Sequence, residues 1–445
     1  MSAITDASLA AIRAAAHPLS GAAGDYDALL DLVGDARFVL LGEATHGTHE
    51  FYAERARITR RLIEEKGFAA VAVEADWPDA YRVNRYVRGE GQDPDGRAAL
   101  SGFERFPAWM WRNTAVLDFV EWLRQRNDGA GAAKAGLYGL DLYSLFTSIH
   151  EVLNYLDQVD PNAAREARRR YACFDHYDRD SQQYGYAASI GMSDSCEQGV
   201  LAALHDLQQR AFDYMQADGA GAEDAFFYAQ QNARLVKNAE EYYRTMFRGR
   251  VSSWNLRDSH MAETLDALAR HLSRDGKPAR IVIWEHNSHI GDARATEIGR
   301  QGEWNVGELA RKAYGSDACL IGFTTYDGRV TAASEWDGPA EHKRVRPGLP
   351  GSYEHLLHST GMQDFYLALR DPGPVRDALM EGRLERAIGV LYLPRTERHS
   401  HYFMAQLPRQ FDAVIHIDRT SAVEPLDPTS GWHSGEPPET YPEGL

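Results

Sequence analysis

The segment Gly42-Glu-Ala-Thr-His-Gly47 places a carboxylate and an imidazole three residues apart, directly after an apolar run. A histidine titrates near neutral pH and can take a proton from water, and a nearby carboxylate can orient its ring or stabilise the imidazolium. We predict that His46 is a general base assisted by Glu43. The alternative is that Glu43 or Thr45 caps the next helix and that His46 is an ordinary turn residue.

Further ionisable residues follow other apolar runs. Glu74 ends the run Ala-Val-Ala-Val, where a carboxylate is costly unless it is paired. Arg55, on the helix after His46, is expected to neutralise Glu74 or an oxyanion. His286 and His289 share a Trp-Glu-His-Asn-Ser-His segment, and one of them is expected to be the general acid or an oxyanion donor. A structural ion pair for Glu74, and an ordinary loop position for one histidine, remain alternatives.

Weaker candidates lie after a third apolar run, in a polar stretch of a predicted helix, and in a Pro-Arg-Thr-Glu-Arg-His-Ser-His-Tyr segment near the C-terminus. We predict that they bind substrate, although solvated or purely structural positions are about equally consistent with the pattern. These residues are Asp141, Tyr143, Arg257, Asp258, His260, Arg398, His401 and Tyr402.

The same residue types raise the question of a metal. Glu43, His46, Glu74, His286 and His289 are suitable ligands for a divalent cation, but the chain has no HExxH motif and no dense Asp/His box. It also lacks a G-x-S-x-G nucleophile elbow, a P-loop and a G-x-G-x-x-G fingerprint. These patterns favour a hydrolase that activates water without a metal or cofactor. A metal-dependent hydrolase and a non-catalytic small-molecule binding protein stay open.

Continuous apolar runs separated by helical stretches are typical of a parallel α/β sheet, which binds ligands beyond the carboxyl ends of its strands. We predict an α/β protein with a largely parallel central sheet flanked by helices. The α/β core would comprise residues 1–144 and 274–423, interrupted by an all-helical lobe at 145–273 and followed by an irregular tail at 424–445.

A lobe inserted between two strands that carry site residues is expected to cover the cleft. Its aromatic side chains suit an apolar substrate, so some of them should line a mostly apolar pocket. For any single one, packing of helix against helix is the more ordinary role. The set comprises Tyr184, Tyr186, Phe226, Phe227, Tyr228, Tyr242 and Tyr243.

Composition limits the partners. The formal net charge of −17 argues against nucleic-acid binding, which needs clustered Lys and Arg. The N-terminus begins an amphipathic helix rather than a signal peptide, and no apolar run approaches membrane-spanning length. The three cysteines form no CxxC pattern and are consistent with a reducing compartment. We expect a cytoplasmic protein that acts on a small molecule; the sequence does not indicate the oligomeric state.

These motifs, together with Val-Glu-Ala-Asp at 73–76 and Asn-Leu-Arg-Asp-Ser-His-Met at 255–261, resemble the erythromycin esterase family over roughly residues 35–420. The resemblance implies an α/β core with a helical lobe over the cleft, and metal-independent attack of activated water on a macrolactone ester. It implies His46 as the general base, surrounded by the other catalytic candidates. The Pro-Arg-Thr-Glu-Arg-His-Ser-His-Tyr segment, which ends at Tyr402, resembles the branch of the family that includes proteins labelled succinoglycan biosynthesis. For this branch the resemblance implies the catalytic residues, but it does not imply a macrolide substrate.

Overall fold

The computed structural model describes residues 4–131, 133–177, 180–192, 195–216, 220–273 and 276–427. The strands are β1 (His17–Pro18), β2 (Phe38–Leu41), β3 (Ala70–Asp76), β4 (Gly136–Asp141), β5 (Ile281–Trp284), β6 (Ala318–Ala332), β7 (Glu341–Val345), β8 (Asp364–Ala368), β9 (Arg383–Arg386), β10 (Tyr402–Ala405) and β11 (Ala413–Thr420).

The helices of the first part are α1 (Asp6–Ala15), α2 (Asp27–Val33), α3 (His49–Lys66), α4 (Trp77–Arg88), α5 (Gly96–Leu100) and α6 (Thr114–Asp128). Between β4 and β5 lie α7 (Leu145–Val159), α8 (Pro161–Tyr171), α9 (Ser181–Ser189), α10 (Glu197–Gln209), α11 (Ala211–Gln216), α12 (Ala220–Thr245) and α13 (Arg250–Leu272). Short helices follow: α14 (Asn287–Ile290), α15 (Glu297–Arg300), α16 (Val306–Tyr314), α17 (Tyr353–His358), α18 (Pro374–Leu379), α19 (Glu397–Ser400) and α20 (Leu407–Gln410).

The main sheet has the order β1-β8-β11-β6-β2-β5-β3-β4, with β7 paired to β6. All neighbours from β11 to β4 are parallel, and antiparallel pairing occurs only toward β8, β1 and β7. The prediction of a largely parallel α/β sheet is therefore confirmed. A separate two-stranded sheet joins β9 to β10.

Strand β5 lies between β2 and β3, although more than two hundred residues of chain separate β3 from β5. The carboxyl ends of β2, β5, β3 and β4 are therefore consecutive along one edge of the sheet. This edge carries the ionisable residues that follow each strand. The strands themselves are buried on both faces, which explains their continuous apolar runs.

The described part of the segment between β4 and β5 is helical, as expected. A 3₁₀ turn at Ala172–Tyr177 follows α8 and precedes α9. Division of the chain into separate domains stays a prediction. Of the predicted tail, residues 428–445 lie outside the described part of the chain.

The lobe aromatics pack against other lobe helices and against α4. Phe227 stacks on His271, and Tyr228 stacks on Tyr81, whereas Tyr186 is exposed. Tyr242 and Tyr243 contact the chain that follows β4: the Tyr242 ring lies edge-on to the Tyr143 ring, and the Tyr243 hydroxyl donates to the Tyr143 carbonyl at 3.1 Å. Their role as a pocket lining stays a prediction.

Cys173 and Cys196 form a disulfide within the helical lobe, with 5.9 Å between their Cα atoms. This differs from the expectation of reduced cysteines, because the spacing of the two residues in the sequence does not reveal that the 3₁₀ turn packs beside the start of α10. The third cysteine, Cys319, is free and buried in β6. Among the described residues, no helix combines the length and apolar character needed to cross a membrane.

Strand β9 ends at Arg386, and the chain does not join β10 until Tyr402. The following residues make single bridges instead: Ile388 pairs with Thr45, and Leu391 pairs with Ala333. After β9 the chain therefore runs alongside the turn that carries Glu43 and His46. This contact between distant segments cannot be recognised from local periodicity.

Gly47 closes that turn against the backbone of β6. A Cβ atom at this position would overlap the carbonyl oxygen of Thr331, and the Gly47 carbonyl accepts hydrogen bonds from the N–H groups of Thr331 and Val423 at 3.0 and 2.9 Å. The glycine is required by this close approach of two backbones rather than by the projection of side chains alone.

We predict that Gly47→Ala lowers the free energy of unfolding by about 1–3 kcal/mol or more, because the methyl group must displace the β6 backbone. Urea denaturation measures this change. Gly129→Ala is the control, since Gly129 has φ −93° and is exposed. Equal stability of the two variants would contradict the close-approach explanation.

Candidate active site

Glu43 joins His46 to a buried arginine. Its Oε1 lies 2.8 Å from Nδ1 of His46, and its Oε2 lies 2.6 Å from Nη2 of Arg55. With Nδ1–H donating to the carboxylate, Nε2 of His46 is left as the proton acceptor. The Arg55 guanidinium also lies 4.4 Å from the ring centre of Tyr52. Arg55 was predicted to neutralise Glu74 or an oxyanion; the structure pairs it with Glu43 instead of Glu74, and a role toward an oxyanion stays a prediction.

His286 has the opposite hydrogen-bond polarity. The backbone N–H and the hydroxyl of Ser288 approach its Nδ1 at 3.2 and 2.8 Å, so Nδ1 accepts and Nε2 carries the proton. Burial and the neighbouring imidazole of His46 lower the pKa of His286 well below its ordinary value, which keeps the ring neutral. Within the described part of the chain, Nε2 makes no hydrogen bond of normal geometry, although the Ala44 carbonyl lies near the ring.

The rings of His46 and His286 are neighbours. Their centroids are 4.9 Å apart and their planes are tilted by 48°. A proton acceptor on one ring therefore lies close to a neutral N–H donor on the other. The residues are 5% and 2% exposed, so the pair is nearly closed off from solvent.

Glu74 connects the end of β3 to the turn after β5. Its Oε2 accepts the backbone N–H of His286 at 2.8 Å, and its Oε1 accepts from Nη2 of Arg257 at 2.8 Å. Burial alone would raise the pKa of Glu74, but the nearby His289, His46 and Arg257 outweigh it and lower the pKa far below the ordinary value. Glu74 is therefore an ionised carboxylate whose partner is Arg257.

Arg257, on α13, joins three parts of the site. Its Nη2 donates to Asp141 at 2.6 Å as well as to Glu74, its Nη1 lies 3.0 Å from Nε2 of His289, and its guanidinium lies over Tyr143. Asp141 and Tyr143 were predicted to bind substrate. The structure shows both buried, with the Asp141 carboxylate and the Tyr143 ring in contact with this arginine.

Asp258 holds His289 from the other side. The Nδ1 of His289 donates to Asp258 at 2.9 Å, and the Asp258 carboxylate also accepts the backbone N–H of Val306 at 3.0 Å. Burial lowers the pKa of His289, but the charges of Asp258 and Glu74 raise it by more. The indole of Trp254 stacks on the His289 ring with centroids 4.6 Å apart and planes 8° apart.

The remaining predicted residues lie outside these contacts. His260 bonds to Asn238 at 2.8 Å, and burial lowers its pKa well below the ordinary value, as for a neutral core histidine. Arg398 is exposed on α19. His401 accepts the N–H of Leu393, and Tyr402 lies beneath the Arg386 guanidinium. Arg398, His401 and Tyr402 lie on the chain between β9 and β10 or at the start of β10. A substrate-binding role for these three residues stays a prediction.

Three residues that position the site were not selected as candidates. Asn287 donates its backbone N–H to the Glu43 carbonyl at 2.8 Å, and its side chain pairs with the backbone of Phe323. Ser288 fixes the tautomer of His286, and Trp254 covers His289. Asn287 and Ser288 stand in the Trp-Glu-His-Asn-Ser-His segment, so their position between the two histidines was the available signal, and Trp254 directly precedes the motif at 255–261.

Glu285 is a buried carboxyl group beside this site. It is 1% exposed, and neither carboxyl oxygen has a hydrogen-bond partner within the described part of the chain. Burial raises the pKa of Glu285 well above its ordinary value, and the negative charges of Glu74 and Asp258 raise it further. Arg257 offsets this rise only in part, because Asp141, Glu74 and His289 also engage it, so Glu285 binds a proton more readily than an exposed carboxyl group.

Among the site carboxylates, Glu43 pairs with Arg55, and Glu74 pairs with Arg257. Across the described ranges, no group of three or more His, Cys, Asp or Glu side chains is arranged to hold a metal ion. The side chains predicted as alternative metal ligands are instead joined to arginines and to one another. The arrangement suits proton transfer with the charges of the carboxylates compensated internally.

A buried histidine with an acceptor nitrogen lies beside a neutral N–H donor at the carboxyl end of a parallel sheet, which is where α/β sheets bind their ligands. A family model described as erythromycin esterase matches residues 63–420. The chain therefore belongs to the erythromycin esterase family. The match begins after Glu43, His46 and Arg55, so the assignment of these three residues depends on their geometry.

The chain is similar to erythromycin esterase type II of Escherichia coli, with 22% identity over 417 residues, covering 90% of this chain and 93% of that protein. It is equally similar, at 22% identity over 417 residues, to the putative hydrolase YbfO of Bacillus subtilis (strain 168), covering 86% and 83% of the two chains.

Two solved structures share the fold. One, titled a succinoglycan biosynthesis protein, has a TM-score of 0.75 at 20% identity and covers 96% of this chain and 100% of its own. The other, an erythromycin esterase mutant in its open conformation, has a TM-score of 0.65 at 18% identity and covers 91% and 96%.

We predict that Glu285→Gln stabilises the protein increasingly as pH rises. Near pH 4 Glu285 is largely protonated in both the folded and the unfolded chain, so its ionisation contributes little to the difference in stability between the wild type and the variant. At higher pH only the unfolded chain ionises, and the wild type loses up to about 1.4 kcal/mol per pH unit relative to the variant. Urea denaturation between pH 4.5 and 8 measures this, with exposed Glu335→Gln as control. A pH-independent difference would show that Glu285 is ionised in the folded protein.

Proposed function

We propose that the protein is a hydrolase that cleaves an ester, lactone or related acyl bond with water activated by His46, without a metal. One observation carries the proposal. His46 presents a free Nε2 acceptor, held by Glu43, next to the neutral Nε2–H donor of His286, with the two rings 4.9 Å apart. Membership of the erythromycin esterase family supports the reaction class.

In this proposal, a water molecule donates a hydrogen bond to Nε2 of His46. As the water oxygen attacks the carbonyl carbon, its proton moves to Nε2 and the carbonyl electrons move to oxygen. The Nε2–H of His286 stabilises that oxyanion. When the intermediate collapses, the bond to the leaving oxygen breaks and this oxygen takes the proton back from His46. Glu43 stabilises the transient imidazolium through Nδ1–H.

Glu74, Arg257, Asp258 and His289 have a positioning role in this proposal. Glu74 holds the backbone of His286, Arg257 and His289 hold Glu74, and Asp258 orients His289. Asp141 and Tyr143 then support Arg257 rather than contact substrate. The substrate is a small molecule with an acyl bond, and a panel of macrolactones, simple esters and cyclic imides would identify it.

We predict that His46→Ala lowers kcat by about 10²–10⁴, because the proton of the attacking water loses its acceptor. Hydrolysis of the most active ester of the panel measures the effect, with circular dichroism to show that the fold is intact. His205→Ala is the control, since His205 is exposed on α10 in the lobe. Activity of a folded His46→Ala protein near that of the wild type would refute the assignment.

We predict that the enzyme stays active after chelator treatment, because Arg55 and Arg257 supply the positive charge beside the two carboxylates. Activity and metal content are measured on the same metal-free sample. Loss of activity on stripping, followed by recovery with zinc or manganese, would favour the metal-dependent hydrolase. A protein that binds compounds from the panel but turns over none of them would be a binding protein.

A further inference from the structure

Tyr52 contacts the turn that carries the proposed base, from the helix that follows this turn. The residue lies in the first turn of α3 and is 1% exposed. Its hydroxyl donates to the backbone carbonyl of His46 at 2.7 Å, and the backbone N–H of His46 donates to the Ile388 carbonyl at 3.3 Å. Both backbone groups of His46 are therefore paired. The proposed reaction does not itself use the Tyr52 hydroxyl.

The ring of Tyr52 acts on the same histidine by a second route. It lies 4.4 Å from the Arg55 guanidinium, whose Nη2 is 2.6 Å from Oε2 of Glu43. The other carboxylate oxygen of Glu43 lies 2.8 Å from Nδ1 of His46. These contacts form a closed ring of four residues, which starts at the backbone of His46 and returns to its imidazole.

Arg55 needs an aromatic neighbour because its charge is buried. The residue is 0% exposed, and Glu43 is its one carboxylate partner among the described residues. The faces of Tyr52 and Trp284, at 4.4 and 5.1 Å, attract the guanidinium, and this attraction is stronger where water is excluded. The guanidinium also lies beside the Tyr52 hydroxyl. Loss of the Tyr52 side chain would therefore loosen the arginine that holds Glu43.

The Tyr52 hydroxyl stays protonated over the pH range in which a histidine acts as a base. Burial raises the pKa of Tyr52 well above its ordinary value, the negative charge of Glu43 raises it further, and Arg55 offsets part of the rise. The hydroxyl is therefore a hydrogen-bond donor to the His46 carbonyl at every pH at which activity would be measured.

We propose that Tyr52 is a positioning residue for the proton transfer: its hydroxyl fixes the backbone of His46, and its ring holds the arginine–carboxylate pair that fixes the imidazole. The inference rests on the proposed hydrolase function. An imidazole that is held both at its backbone and at Nδ1 keeps one rotamer, so Nε2 keeps one direction toward the attacking water. A displacement of about 1 Å at such a group costs on the order of 10²-fold in rate.

The first experiment measures kcat and KM of Tyr52→Phe and Tyr52→Leu on the most active ester of the panel. We expect Tyr52→Phe, which keeps the ring, to lower kcat by about threefold to tenfold, the equivalent of one hydrogen bond. Tyr52→Leu, which also loses the ring, should lower kcat by about 10²-fold. KM should change by less than about twofold, because the loss falls on the transition state rather than on substrate binding.

Tyr86→Phe is the control for this experiment. It removes a tyrosine hydroxyl that donates to Glu121 at 2.9 Å, on α4 and away from the ring of contacts around His46. Values of kcat for the folded Tyr52 variants equal to that of Tyr86→Phe would overturn the proposal and leave the hydrolase intact. Should Tyr52→Leu fail to fold, Tyr52→Phe decides the test alone.

The second experiment separates positioning from a general loss of stability. Tyr52→Phe is introduced into the wild type and into His46→Ala. If Tyr52 acts through His46, the substitution lowers kcat in the wild type and has no further effect once the imidazole is absent. The same fractional loss in both backgrounds would show that Tyr52 supports the fold in general, and would overturn the proposal.

A measurement without substrate distinguishes failure of this inference from failure of the hydrolase. In protein with ¹⁵N-labelled histidine, the imidazole nitrogen signals report which nitrogen carries the proton. The signals of His46 are identified by their absence in His46→Ala. We expect the Nδ1–H form in the wild type and in Tyr86→Phe, and an added population with the proton on Nε2 in the Tyr52 variants.

The outcomes of this measurement are distinct. An added Nε2–H population in the Tyr52 variants of a protein that hydrolyses no ester of the panel would refute the hydrolase and retain Tyr52 as the residue that positions His46. The pure Nδ1–H form in the folded Tyr52 variants would overturn the inference, whether or not the wild type is active.

Discussion

The site depends on the contacts that the buried guanidinium of Arg257 makes. It comes from the last helix of the lobe, and it contacts the carboxylates that end β3 and β4 and the histidine that follows β5. Removing a single partner from such a group leaves buried charge without compensation, which is strongly destabilising. The lobe and the sheet are therefore joined by electrostatics at the active site itself. The position of the lobe and the charge state of Glu74 therefore depend on the same contact, that of Arg257 with the Glu74 carboxylate.

Two histidines with opposite hydrogen-bond polarity follow from ordinary local structure. His46 receives its polarity from the carboxylate of Glu43, which the turn after β2 places three residues earlier. His286 receives the reverse polarity from a backbone N–H at the start of a short helix. Burial then prevents His286 from charging. Two imidazole rings thus become a proton acceptor and a proton donor because their neighbours differ, and no other type of side chain is needed.

The sequence predicted much of this site, since strand-end residues such as Glu74 and His286 can be found wherever an apolar run ends in ionisable groups. What it did not predict are the pairings that depend on strand order. Because β5 inserts between β2 and β3, Arg55 meets Glu43, while Glu74 is left to Arg257 from the lobe. The bridge between Ile388 and the Thr45 turn was missed for a similar reason. Contacts between distant segments do not appear as a local periodicity in the sequence.

The central position of β5 also shapes how the chain can fold during synthesis. Strands β2 and β3 emerge early, but the strand that joins them follows the whole helical lobe. Until residue 284 has left the ribosome, two apolar strand edges lack their native partner. Such edges invite pairing with other chains, and long-range parallel pairing is slow. A chain truncated within the lobe would therefore expose the inner edges of its sheet, and would be prone to aggregate rather than persist as a partly folded protein.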